Sequence, residues 1–170
     1  QLMKYFFTVT VFSILIYFNV AAQSINSLRE DIAVILSQKK AIVGVSIIGF
    51  DGQDTLSVNG DKHLPMQSVF KFHIALAMLS AIDEGRFTLN QQITIEKKDL
   101  LPGLYSPLRE RHPEGVSLSI SEILEYTVSQ SDNVGCDVLL KLLGGPQKVE
   151  TYFRRHGFND VDIKINEEVM

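Results

Sequence analysis

Pro65-Met66-Gln67-Ser68-Val69-Phe70-Lys71 leads into an apolar-periodic run from Val69 to Ile82, and the rest of the chain is arranged around this stretch. A proline just ahead of such a run marks a helix start. Asp83-Glu84-Gly85 marks its end, the glycine suiting a left-handed C-cap. Ser68 is therefore expected in the first turn of a largely apolar helix. Positions i and i+3 share a helix face, so the Lys71 ammonium can lie beside the Ser68 hydroxyl. A serine hydroxyl is a weak nucleophile, and both a neighbouring base and the positive end of a helix favour the alkoxide as it forms. The S-x-x-K spacing alone is a weak signal, since a chain of this length carries roughly one by chance. Ser37-Gln38-Lys39-Lys40 is indeed another. Context separates the two: Ser37 lies at the charged tail of a helix, Ser68 at the mouth of an apolar one.

Upstream, Leu28, Ile32, Ile35 and Leu36 recur at helical spacing as far as Lys39-Lys40. Ala41 to Phe50 is rich in Val and Ile, and Asp51-Gly52 separates it from Asp54-Thr55-Leu56-Ser57-Val58, which predicts a hairpin. Downstream of Gly85 the signals are mostly helical. Ser119-Ile120-Ser121-Glu122 forms a capping box ahead of Ile123, Leu124 and Tyr126. A further helix is predicted from Asn133 to Leu143, stopped by Gly144-Gly145, and Pro146 starts another that ends near Gly157. Arg109, Glu110, Arg111 and Glu114 read as a solvated loop with no assigned role. The order helix, two strands, helical block predicts an α/β (α+β) chain, with residues 23–61 starting an α/β lobe and residues 62–170 forming a helical lobe. Because a two-stranded sheet is marginal alone, further strands are expected to complete it.

The 170 residues are 45% apolar and 21% charged, a globular composition sufficient for one domain with a core. The net charge of −4 comes from 16 basic and 20 acidic residues, and no block of one sign occurs. That argues against a nucleic-acid footprint and against a polybasic membrane patch. Lys4 precedes an apolar run from Tyr5 to Tyr17, with Val20 and Ala22 at the −3 and −1 positions of a signal-peptidase site. Residues 1–22 are thus read as a cleavable secretory signal peptide with a periplasmic destination. The competing reading is an uncleaved anchor, for which the run is short and lacks charges on its far side. The single Cys136, between Val134 and Val138, allows no internal disulfide and reads as buried packing. His63, His73, His112 and His156 form no H-E-x-x-H pattern or His/Cys cluster, so no metal site is expected.

Ser131-Asp132-Asn133 falls where one predicted helix gives way to the next, and on its own it is an ordinary turn in which Asp132 or Asn133 caps the following helix. S-x-x-K together with S-D-N is a known catalytic combination. With Tyr105-Ser106-Pro107, Gly144-Gly145 and Asn166-Glu167-Glu168, these stretches make nearly the whole chain resemble the class A serine β-lactamases. The resemblance is greatest to the extended-spectrum subgroup with an enlarged omega loop. The spacings between Ser68, Ser131 and Glu167 also resemble those of the family.

The resemblance implies a β-lactamase/transpeptidase-like fold, with a mostly antiparallel sheet flanked by helices set against an all-helical lobe. It implies hydrolysis of the β-lactam ring of penicillins and cephalosporins through a serine acyl-enzyme, by a monomer with no metal or organic cofactor and no nucleic-acid partner. Residue by residue, Ser68 is then the nucleophile and Lys71 its activator. Ser131 protonates the departing nitrogen, and Asn133 holds the substrate's side-chain amide. Tyr105 forms an aromatic wall of the cleft, and Glu167 activates the deacylating water. Either Lys71 or Glu167 can serve as the acylation base. Glu167 is preferred to Glu168 by its spacing from Gly157. Ile165 stands where the family usually has an arginine, as in the enlarged-loop subgroup, so the common omega-loop salt bridge is not carried over. No K-T-G occurs up to Met170. The chain is accordingly expected to be an amino-terminal fragment that stops before the last strands, poorly folded and inactive alone. A penicillin-binding transpeptidase or carboxypeptidase, or a non-hydrolysing β-lactam sensor, are the alternatives.

Overall fold

A computed structural model describes residues 25–50, 52, 55–164, 166 and 167. The chain divides into two compact units, residues 1–65 and 66–170. The expected leader at 1–22 lies outside the described residues, as do Ile165 and Glu168.

In the first unit, helix α1 (Ile25–Ser37) precedes strands β1 (Val45–Ile48) and β2 (Thr55–Val58). The strands pair antiparallel, with Val45 opposite Val58 and Ile48 opposite Thr55, as the alternation of apolar β-branched residues predicts. Arg29 donates from Nη1 to the Ser57 carbonyl at 3.2 Å, tying α1 to β2.

In the second unit a 3₁₀ turn, Gln67–Val69, runs directly into helix α2 (Phe70–Asp83). Phe70, Lys71, Ile74, Ala75, Ala77, Met78 and Ala81 are all buried, a wide apolar arc that makes α2 the central helix of this unit. Gly85, at φ +75°, ends it as expected, its amide donating to Ile82 and that of Arg86 to Ala81. Helices α4 (Ile120–Ser129), α5 (Asn133–Leu143) and α6 (Pro146–Arg155) follow the predicted starts and stops. Ser119 and Glu122 form the reciprocal box at the head of α4. Gly144, at φ +92°, closes α5 in the left-handed region.

Two features differ from the sequence reading. The block from 62 to 170, expected to be helical, also contains an antiparallel hairpin, β3 (Gln92–Glu96) with β4 (Gly115–Ser119). Its signature is period-two alternation, Gln-Ile-Thr-Ile-Glu opposite Gly-Val-Ser-Leu-Ser, which sends Ile95 and Leu118 into the core. Gly115 begins β4 at φ +99°, where a Cβ would come within 2.7 Å of the Ile95 carbonyl, so only glycine permits this close approach. The stretch read as a solvated loop is likewise partly helical, α3 (Pro107–Arg111). Arg109 is half-buried there, and its guanidinium donates to the Leu101 carbonyl.

Ile74, Met78, Ile95, Leu108, Ile120, Ile123, Leu139 and Leu140 form the buried core of this unit. Each such side chain contributes about 1.5–3 kcal/mol relative to exposure. Exposed ion pairs such as Lys97–Glu114 contribute about 0–1 kcal/mol, so apolar packing holds α2 against α5. Among the described residues no helix is long and apolar enough to cross a membrane.

Candidate active site

Lys71 leaves the first turn of α2, and its ammonium is the meeting point of the second unit. The side chain is only 3% exposed. Nζ lies 3.1 Å from Ser68 Oγ, 3.3 Å from Ser131 Oγ, 2.5 Å from Asn133 Oδ1 and 2.6 Å from Glu167 Oε1. It also donates to the Ser131 carbonyl at 3.2 Å. Five oxygens thus stand in for the hydration that this side chain loses on burial. Ser68 itself is exposed, so the hydroxyl next to the amine is open to a reactant. Gln67, directly before it, sits at φ +48°, a left-handed conformation that is costly for a residue with a side chain.

The Ser131–Asn133 turn is fixed from below. Ser131 is also left-handed, at φ +54°. The turn holds this geometry through Asp132, a fully buried carboxylate. Its Oδ1 accepts from the Gly135 amide at 2.8 Å, and its Oδ2 from the Leu108 amide at 2.7 Å. The Ser106 hydroxyl donates to both oxygens, at 3.0 and 2.9 Å. Asp132 is thus the N-cap of α5 and also fastens α3 to it. The Asn133 amide donates to the Tyr105 carbonyl at 3.2 Å. Tyr105 is tied to the site through its backbone, while its side chain is 60% exposed.

Glu167 lies outside the regular elements. Its side chain is 8% exposed. Its backbone amide donates to Asp137 Oδ1 at 2.8 Å, and Asn166 Nδ2 reaches Asp137 Oδ2 at 3.4 Å. The contact with Lys71 is ionic, and no directed hydrogen bond reaches Glu167 Oε1.

Ser68, Lys71, Ser131, Asn133 and Glu167 are therefore brought together, with Tyr105 beside them. Three residues assigned no part from sequence also belong to this arrangement: Ser106, Asp132 and Asp137. Asp132 carried a visible signal as a candidate N-cap, and Ser106 lay ahead of Pro107 in a stretch already singled out, whereas Asp137 carried none beyond being acidic in apolar surroundings. Cys136 is buried one turn into α5. Burial pushes its thiol pKa well up, and the nearby carboxylates of Glu167 and Asp137 add to the rise.

The chain belongs to the beta-lactamase enzyme family, whose profile matches residues 27–170. Beta-lactamase VEB-1 of Pseudomonas aeruginosa is 45% identical over 161 residues, covering 95% of this chain and 53% of that protein. The crystal structure of TLA-1 extended-spectrum beta-lactamase superposes with a TM-score of 0.83 at 44% identity, over 86% of this chain and 54% of that one. A class A beta-lactamase from Bacteroides cellulosilyticus DSM 14838 gives a TM-score of 0.78 at 37% identity, over 83% and 51%. The fold is thus of the class A kind, and the chain spans about half the length of the curated relatives it matches.

Proposed function

We propose that this chain supplies the acylating and deacylating groups of a class A serine β-lactamase that hydrolyses penicillins and cephalosporins. The observation that carries the reading is the buried ammonium of Lys71 in contact with two hydroxyls and a carboxylate. Ser68 Oγ attacks the lactam carbonyl carbon as Lys71 Nζ passes one of its protons to Glu167 and takes the Ser68 proton in its place. The backbone amide of Ser68 is assigned as one donor to the developing oxyanion. As the C–N bond breaks, Ser131 Oγ, within reach of the same ammonium, delivers a proton to the leaving nitrogen. Glu167 then takes a proton from the water that cleaves the Ser68 ester. Its carboxylate, buried and 2.6 Å from the Lys71 ammonium, is placed beside the acylated serine for that role.

Glu167 favours turnover over a permanently acylated transpeptidase or sensor, because it sits at ion-pair distance from the group that activates Ser68. Export to the periplasm through the leader at 1–22 belongs to the same reading. The test is hydrolysis of a chromogenic cephalosporin by the full-length protein. Ser68→Ala is expected to lower turnover on the order of 10³-fold or more. Glu167→Gln is expected to lower it roughly 10²–10⁴-fold and to leave a covalent adduct visible by mass spectrometry. Hydrolysis by Ser68→Ala at the wild-type rate excludes the mechanism.

A further inference from the structure

The segment that delivers Glu167 leaves α6 at Gly157 and has no regular structure of its own over residues 161–164. One face of α6 grips its start. Gln147, Glu150 and Arg154 follow the spacing that aligns side chains along a helix. Glu150 Oε2 accepts from the Ile163 amide at 3.1 Å, and Gln147 Nε2 donates to the Lys164 carbonyl at 3.3 Å. Arg154 holds Glu150 in place, its Nε and Nη2 both 3.0 Å from Oε1. Arg154 also reaches Asp162 at 3.4 Å. The Ile163 side chain is buried in the core at the same point, so backbone and side chain are fixed together. Glu150 is mostly shielded whereas Arg154 is half exposed, which makes the carboxylate the inner element and the guanidinium its clamp.

We propose that Glu150, clamped by Arg154, is a positioning residue for Glu167, setting where the deacylating carboxylate stands without touching substrate. This rests on the reading of Glu167 as the deacylating base. A misplacement of about 1 Å at a reacting group costs up to roughly 100-fold in rate, and the cost falls most on deacylation, where Glu167 itself handles the attacking water.

The test separates that step from the others in the full-length protein. Glu150→Ala is expected to slow deacylation about tenfold or more, with acyl-enzyme accumulating by mass spectrometry and acylation slowed distinctly less. Glu150→Gln retains an acceptor for the Ile163 amide and is expected to recover most of the rate. Arg154→Met, which leaves Glu150 present but unclamped, falls between them and serves if Glu150→Ala folds poorly. Hydrogen exchange at the Ile163 and Glu167 amides is expected to quicken in the same order. Deacylation within twofold of wild type despite faster exchange overturns the proposal, as does an equal fall in acylation and deacylation. A wild-type protein that never forms an acyl-enzyme removes the β-lactamase reading instead. The exchange measurements, which need no substrate, still show whether Glu150 holds the segment.

Discussion

The Ser131–Asn133 turn and the segment from 161 to 167 both deliver polar groups to Lys71, and they are held by opposite means. The turn hangs on one fully buried carboxylate, Asp132, which accepts from two backbone amides and a hydroxyl. The segment is held near its start by Glu150, Arg154 and Asp162, which keep partial contact with solvent. Buried hydrogen bonds are insensitive to salt and expensive to break, because the stranded donors cannot return to water. Half-exposed ion pairs are weaker and are screened. The group proposed to assist acylation therefore stands on rigid ground, and the group proposed for deacylation on more adjustable ground.

The largest expected effect comes from removing the buried anchor. Asp132→Ala strands the Leu108 and Gly135 amides and the Ser106 hydroxyl, and is expected to cost about 3–5 kcal/mol of stability in urea unfolding of the full-length protein. A loss below about 1 kcal/mol breaks the contrast, since the turn then does not depend on its carboxylate.

The next effect compares the two regions directly. Raising salt from about 0.1 M to about 1 M shortens the screening length from about 10 Å to about 3 Å. Exchange at the Ile163 amide is expected to accelerate roughly two- to fivefold, the weight of half-exposed ion pairs. Labelling of Cys136, buried in α5 just past the turn with its thiol pKa pushed up, is expected to follow global unfolding and change by less than about twofold. Equal salt responses at the two sites contradict the assignment of different forces to them.

The smallest effect concerns α4, the helix that runs into the turn. Ser119→Ala removes its N-cap and is expected to cost about 1 kcal/mol. The Ser119 hydroxyl, and then its amide, hold the Glu122 carboxyl below its ordinary value of 4.5. The folded state therefore binds that proton less readily than the unfolded chain. The cap's contribution is present above the ordinary value and is lost as pH falls through the lower folded one. In acid titrations the Ser119→Ala variant is expected to lack this part of the stability loss, and an unchanged acid limb argues against the cap.

Much of the fold was legible in short patterns: the Ser119/Glu122 box, glycines at 85 and 144, and Pro146 at a helix start. The β3–β4 hairpin escaped because its strands are brief and lie between helices, although Ile93 and Ile95 alternate with polar neighbours. Helix α3 escaped because five residues carry too little periodicity, so Arg109 looked like solvated charge when its guanidinium in fact closes the preceding loop. Asp137 gave no sign of its role, since an acidic residue among valines and leucines on α5 does not by its type name the distant backbone amide it accepts from.

What the chain encodes by itself is local. Ser68 and Lys71 share a face because they are one helical turn apart, and helices begin and end where caps satisfy nearby amides and carbonyls. Tertiary packing decides the rest. Ser131, Asn133 and Glu167 reach the ammonium only because α5 is pressed against α2 and the late segment is tied to Asp137 and Glu150. Such contacts join residues far apart in sequence, and their energy arises only when apolar faces with no sequence proximity are buried against each other.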